Sequence, residues 1–153
     1  MDVLDVGDRG SEEAHAYVID GQTFRGERSM WTDRNLEFTD DGRAFRAAQS
    51  FNASMEAGVE ACVVKRIDPS VQRQVSRWTV DGELIGELEA RTGDTSGRWP
   101  SVSVAIPGHL VRRRTVRLRE EFVASDIDIN AFRIEVYQRP ASRSSADDAS
   151  VAR

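Results

Sequence analysis

The sequence predicts an all-β fold, an antiparallel β-sandwich of jelly-roll type with about eight to nine strands. Three observations predict it. The Asp-Gly dipeptides Asp20-Gly21, Asp41-Gly42 and Asp81-Gly82 punctuate the chain, and both residue types tolerate the positive φ angles of tight turns between antiparallel strands. Apolar residues between them tend to recur at every second position, the period of a strand with one buried face. No segment carries a convincing long helical pattern, and no repeat of fixed period points to a propeller or solenoid.

In chain order, residues 14–19 and 22–25 flank the first Asp-Gly as a candidate hairpin, and residues 35–38 form a short strand leading into the second. Phe45, Ala47, Phe51, Ala53 and Met55 alternate with small or polar residues. Ala44, Ala47, Ala48, Phe51 and Met55 also fit helical spacing, but a strand is favoured because Glu56-Ala57-Gly58 then makes a short hairpin into residues 59–67. Val59 to Val64 is apolar on both parities, as in a strand near the middle of a sheet, and Asp68-Pro69 ends it because proline cannot donate to the ladder. Apolar parity changes between Val71 and Val80, which a bulge near Ser76-Arg77 explains. Leu84, Gly86 and Leu88 then face opposite to Glu83, Glu87 and Glu89. Val102, Val104 and Ile106 run to the break at Pro107-Gly108, Val116, Leu118 and Phe122 mark a further strand, and Phe132, Ile134 and Val136 mark the last.

At 153 residues the chain is about one domain long, enough to fold without a metal or disulfide. Residues 1–13 carry five acidic side chains and read as a flexible lead-in, residues 14–139 as the sandwich, and residues 140–153, rich in Ser, Ala and Asp, as a disordered tail. The one cysteine, Cys62, excludes an intramolecular disulfide framework and reads as a small buried apolar residue. The acidic start lacks the basic and apolar parts of a signal peptide, and no apolar run approaches the roughly 20 residues of a membrane helix. The sequence as written therefore predicts a soluble, cytoplasmic chain without a membrane partner. Its net charge of −5 also argues against a nucleic-acid partner. Among 21 Lys and Arg side chains, Lys65 is the one lysine.

A serine or cysteine hydrolase needs a nucleophile with a histidine partner, but Gly-x-Ser-x-Gly is absent and only His15 and His109 occur. Glycoside hydrolysis needs two carboxyls about 5 to 9.5 Å apart. With 26 acidic residues, neither Glu83, Glu87 and Glu89 nor Glu120-Glu121 stands out as that pair. Catalysis is therefore the lesser reading. Asp126, Asp128 and Asn130 space three oxygen ligands two apart, as a calcium loop begins. Ala131 and Tyr137 stand where an EF-hand needs glycine and glutamate, so a polar loop is the expected reading, with a calcium site that staples loops as the lesser alternative, and no other cofactor is expected. Arg113, Arg117 and Arg119 fall on one strand face and are expected to pair with Glu83, Glu87 and Glu89. Aromatic faces offer the stronger binding chemistry, since a flat ring covers the C–H surface of a sugar while Arg and Asp bond its hydroxyls. Trp78 is expected to pack in the core. Trp31, Arg98-Trp99, Tyr17 and the neighbouring His15 are the candidate ligand contacts.

Trp78-Thr79-Val80-Asp81-Gly82, then Arg98-Trp99, Ile106-Pro107 and Phe132-Arg133-Ile134-Glu135-Val136-Tyr137, resemble the jelly-roll modules attached to carbohydrate-active enzymes. They are similar in particular to the β-sandwich portions of α-fructofuranosidase and arabinofuranosidase-like hydrolases. The resemblance covers roughly residues 59–137 and implies a sandwich in a sugar-related context, without an active site. The expectation is a non-catalytic carbohydrate-binding or accessory module, its partners a carbohydrate and a hydrolase domain. A self-associating structural module and a small glycoside hydrolase are the alternatives.

Overall fold

The computed structural model describes residues 1–31, 37–90 and 100–138, and for Met30 and Trp31 the backbone alone. Ten strands in two antiparallel sheets are seen among these residues. The first sheet has the order β1 (Asp2–Asp5), β10 (Arg133–Gln138), β4 (Ala61–Arg66), β7 (Ser101–Ile106). The second has the order β2 (Val18–Trp31), β3 (Glu37–Ser54), β8 (Thr115–Ala124), β5 (Gln74–Val80), β6 (Glu83–Ala90), with β9 (Ile129–Ala131) paired to β3. The chain crosses between sheets from β1 to β2, β3 to β4, β4 to β5, β6 to β7, β7 to β8 and β9 to β10, as a sandwich of this type requires.

Period-two burial builds the core. Val63, Val104, Ile106, Ile134 and Val136 from the first sheet meet Phe51, Trp78, Val80, Val116 and Leu118 from the second. Trp78 is fully buried, as its strand-internal position predicts. Its ring stands edge-on to Phe51 at 6.5 Å, and its indole N–H donates to Ser76 Oγ at 3.1 Å. That single bond satisfies the one polar atom that would otherwise make burial costly. Residues 45–54 are strand, and β4, apolar on both parities, sits between β10 and β7 inside its sheet.

The structure corrects several expectations. Asp81-Gly82 does turn β5 into β6, with φ of +47° and +87°. Asp20-Gly21 instead lies inside β2 at a register shift, with Gly21 at φ +63°, and Asp41-Gly42 runs through the interior of β3. At Gly42 the need is space rather than a turn, because a Cβ there would stand 2.4 Å from the Phe132 ring. Glu56-Ala57-Gly58 is no hairpin, since β3 and β4 belong to different sheets. Nor are residues 1–13 a loose lead-in: β1 pairs with β10, and Leu4 and Val6 are buried. Two large aliphatic residues at period two are enough to dock the segment against an open sheet edge. The tail, residues 140–153, lies outside the described residues.

Ladder partners also differ from expectation. Strand β8 neighbours β3 and β5, not β6, so Arg113 pairs with Asp81 and Arg119 with Glu121. Arg117 donates to Ser50 Oγ, to Asn52 Oδ1 and to the Ala16 carbonyl. Glu83 takes Arg112 and Glu87 takes Arg77.

Candidate functional site

Strands β1 and β2 are the edges of their respective sheets, and the short helix α1 (Arg9–Ala14) carries the chain from one to the other. Asp8 caps α1 by accepting from Ser11 N at 2.7 Å. Tyr17 N donates to the Glu12 carbonyl at 2.9 Å, and Asn52 N to the His15 carbonyl at 2.7 Å, so the chain leaves α1 already paired to β3.

This seam holds a cleft of about 370 Å³ lined by Arg9, Glu12, Glu13, Tyr17, Arg25 and Arg43. Arg25 and Arg43 are cross-strand partners on β2 and β3, and the glutamates come from α1. Arg43 grips Glu12 in a two-pronged pair, Nε to Oε1 at 2.8 Å and Nη2 to Oε2 at 2.5 Å. Glu12 Oε1 also accepts from Gly7 N at 2.9 Å. Arg43 is only 5% exposed, and its remaining nitrogen, Nη1, is buried with no partner among the described residues. Arg9 and Glu13 pair at 2.7 Å near solvent.

From the cleft wall a polar chain enters the core. The Tyr17 hydroxyl donates to Gln49 Oε1 at 2.8 Å, Gln49 Nε2 donates to Glu120 Oε2 at 2.6 Å, and Lys65 Nζ bonds Glu120 Oε1. Gln49, Glu120 and Lys65 are at most 1% exposed. Lys65 belongs to β4 and Glu120 to β8, so the pair bridges the two sheets. Burial, reinforced by the Glu12 and Glu120 carboxylates and opposed by Arg43, pushes the Tyr17 phenol well above the ordinary tyrosine range.

Of the residues singled out from sequence, Tyr17 lines this cleft. His15 does not: its Nδ1 donates to the Ser11 carbonyl at 2.7 Å and its Nε2 lies 3.3 Å from Asp2 Oδ1, which staples α1 to β1. Trp31 ends β2, but its side chain, like all of Arg98 and Trp99, lies outside the described residues. Asp126, Asp128 and Asn130 carry separate structural bonds. Asp128 Oδ2 accepts from Thr23, Asn130 Oδ1 accepts from Asp68 N, and Asp126 N donates to the Gln72 carbonyl. No group of three or more His, Cys, Asp or Glu that could hold a metal occurs among the described residues. The sequence reading missed Arg43, hidden behind the supposed Asp41-Gly42 turn, and Glu12, which carried no signal beyond its place beside His15. Lys65, unique in a chain of arginines, was a signal available and unused.

No family model matches the chain, and no curated protein matches it. Among the solved structures to which the chain is similar, two are named, both at low similarity. One is a family 35 carbohydrate binding module from Clostridium thermocellum, at 12% identity and a TM-score of 0.45 over 80% of this chain and 98% of that one. The other is the CBM22-1 and GH10 portion of the endo-1,4-beta-D-xylanase 10B from the same organism, complexed with xylohexaose, at 11% identity and a TM-score of 0.41. That match covers 80% of this chain and 29% of the xylanase chain.

Proposed function

We propose that this chain is a non-catalytic carbohydrate-binding module, an accessory to a glycan-active enzyme, with the seam cleft as its binding site. The observation that carries the reading is the cleft lining, in which Arg43 is locked in place by Glu12, with no acceptor for its Nη1 among the described residues, beside the exposed Arg9 and Arg25. A ligand in the cleft would reach those exposed guanidiniums. Saccharide hydroxyls suit the cleft because each both donates and accepts, so one ring can use guanidinium donors and carboxylate acceptors together. Both cleft carboxylates are already engaged by arginine, whereas a glycosidase must keep one carboxyl free to deliver a proton.

The test is affinity electrophoresis through a panel of polysaccharides. Retardation on at least one, lost in Arg25→Ala at unchanged melting temperature, supports the assignment, because Arg25 lines the cleft and is exposed. Free migration on every polysaccharide removes it. Trp31, Arg98 and Trp99 enter the same proposal as further ligand contacts, and Trp99→Ala in the same gels tests them. An assembly role has one observation in its favour: Tyr137, Cys62 and Ala105 lie side by side across the first sheet, and Tyr137 is 41% exposed. Sedimentation as monomer at high concentration would exclude it.

A further inference from the structure

The chain's one lysine lies in the least hospitable place for it. Lys65 Nζ and Gln49 Nε2 bond opposite oxygens of one buried carboxylate, Glu120, while the Tyr17 hydroxyl donates to the Gln49 carbonyl oxygen. A structural ion pair explains little of this, because burying two charges costs more than well-packed apolar residues would. As a reaction centre each group has a task. Lys65 is an amine nucleophile, Gln49 an acyl carbon with a nitrogen leaving group, Glu120 a carboxyl touching both nitrogens, and Tyr17 a donor placed on the oxygen where negative charge develops in acyl transfer.

We propose that Lys65 and Gln49 become joined by a side-chain amide between β4 and β3, a covalent tie across the sandwich formed by the protein itself. Lys65 Nζ passes a proton to Glu120 Oε1 and attacks Gln49 Cδ, forming the C–N bond, and the oxyanion on Oε1 is held by the Tyr17 O–H. Glu120 donates its proton to Nε2, regains one from Nζ, and the Cδ–Nε2 bond breaks. Ammonia leaves and takes the last proton as ammonium, so Glu120 ends as a carboxylate and no oxidant or cofactor is consumed. The requirement is that Nζ close to about 3 to 3.5 Å from Cδ, and the shared carboxylate tethers both nitrogens to one buried group.

Intact-mass spectrometry of the folded, purified full-length chain after denaturation tests this directly. The expected mass is one ammonia below that of the sequence, with trypsin unable to cleave after Lys65. Glu120→Gln and Lys65→Arg should each return the full mass calculated for the variant. Full mass in the folded wild type overturns the proposal. So does a deficit of one water mapped to Lys65 and Glu120, or an ammonia deficit that persists in Lys65→Arg and so arises elsewhere.

Discussion

Replacing Glu12 by alanine should cost about 3 kcal/mol of folding stability, near the low end of the range for breaking a buried ion pair. The magnitude follows from the surroundings: the Arg43 side chain is 5% exposed and that of Glu12 is 14% exposed. The variant leaves the guanidinium without either acceptor and the Gly7 amide without its own. Arg43→Met should cost about 2 kcal/mol, because Glu12 sits nearer water and keeps the Gly7 bond. The double variant should cost much less than the sum, giving a coupling of about 2 kcal/mol in a double-mutant cycle. The chain holds its own control in Arg9–Glu13, side chains 88% and 66% exposed, where coupling should fall within about 0.2 to 1 kcal/mol. Equilibrium urea unfolding followed by tryptophan fluorescence, with buried Trp78 as a core reporter, measures both cycles. A Glu12–Arg43 coupling no larger than that of Arg9–Glu13 would refute the claim that this pair is a desolvated clamp fixing α1 to the sheets.

Two further predictions concern packing and pH. Gly42→Ala places a Cβ 2.4 Å from the Phe132 ring and 2.9 Å from the Ala131 carbonyl oxygen, and should lower urea-unfolding stability by about 1 to 3 kcal/mol although Gly42 is not in the left-handed region. The Tyr17 phenol is raised by burial in the folded state and lies near 10 when unfolded. Above about pH 10 the unfolded chain therefore loses a proton that the folded chain keeps, and stability should fall with rising pH by up to about 1.4 kcal/mol per unit. Urea titrations between about pH 9 and 11 should show that slope weakened in Tyr17→Phe.

Where alternation was uninterrupted, as in Val102 to Ile106, Val116 to Leu118 and Ile134 to Val136, burial followed sequence parity directly. Parity failed at Gly86, whose φ of +152° accompanies a register shift that turns Leu84 outward and keeps Leu88 inward. The Asp-Gly pairs were ambiguous for a physical reason: the freedom that allows a turn equally allows a bulge at Gly21. Glu120 shows the deeper limit. Its parity with Val116 and Leu118 placed it in the core and its charge placed it outside, and the conflict resolves through Lys65, 55 positions away on the other sheet, and Gln49, 71 positions away on β3. Of the candidate site, Tyr17 was legible as an aromatic beside a cluster of polar residues. Arg43 was not, because nothing local marks which of many arginines the sheet seam will enclose.

The most direct measurement is a nuclear magnetic resonance titration of isotope-labelled protein with soluble oligosaccharides. Saturable amide shifts gathered at Gly7, Glu12, Tyr17, Arg25 and Arg43 are the expected result, since these residues line or brace the cleft. Shifts that leave those amides still while others move, or no shifts with any oligosaccharide, would contradict a sugar site at the seam.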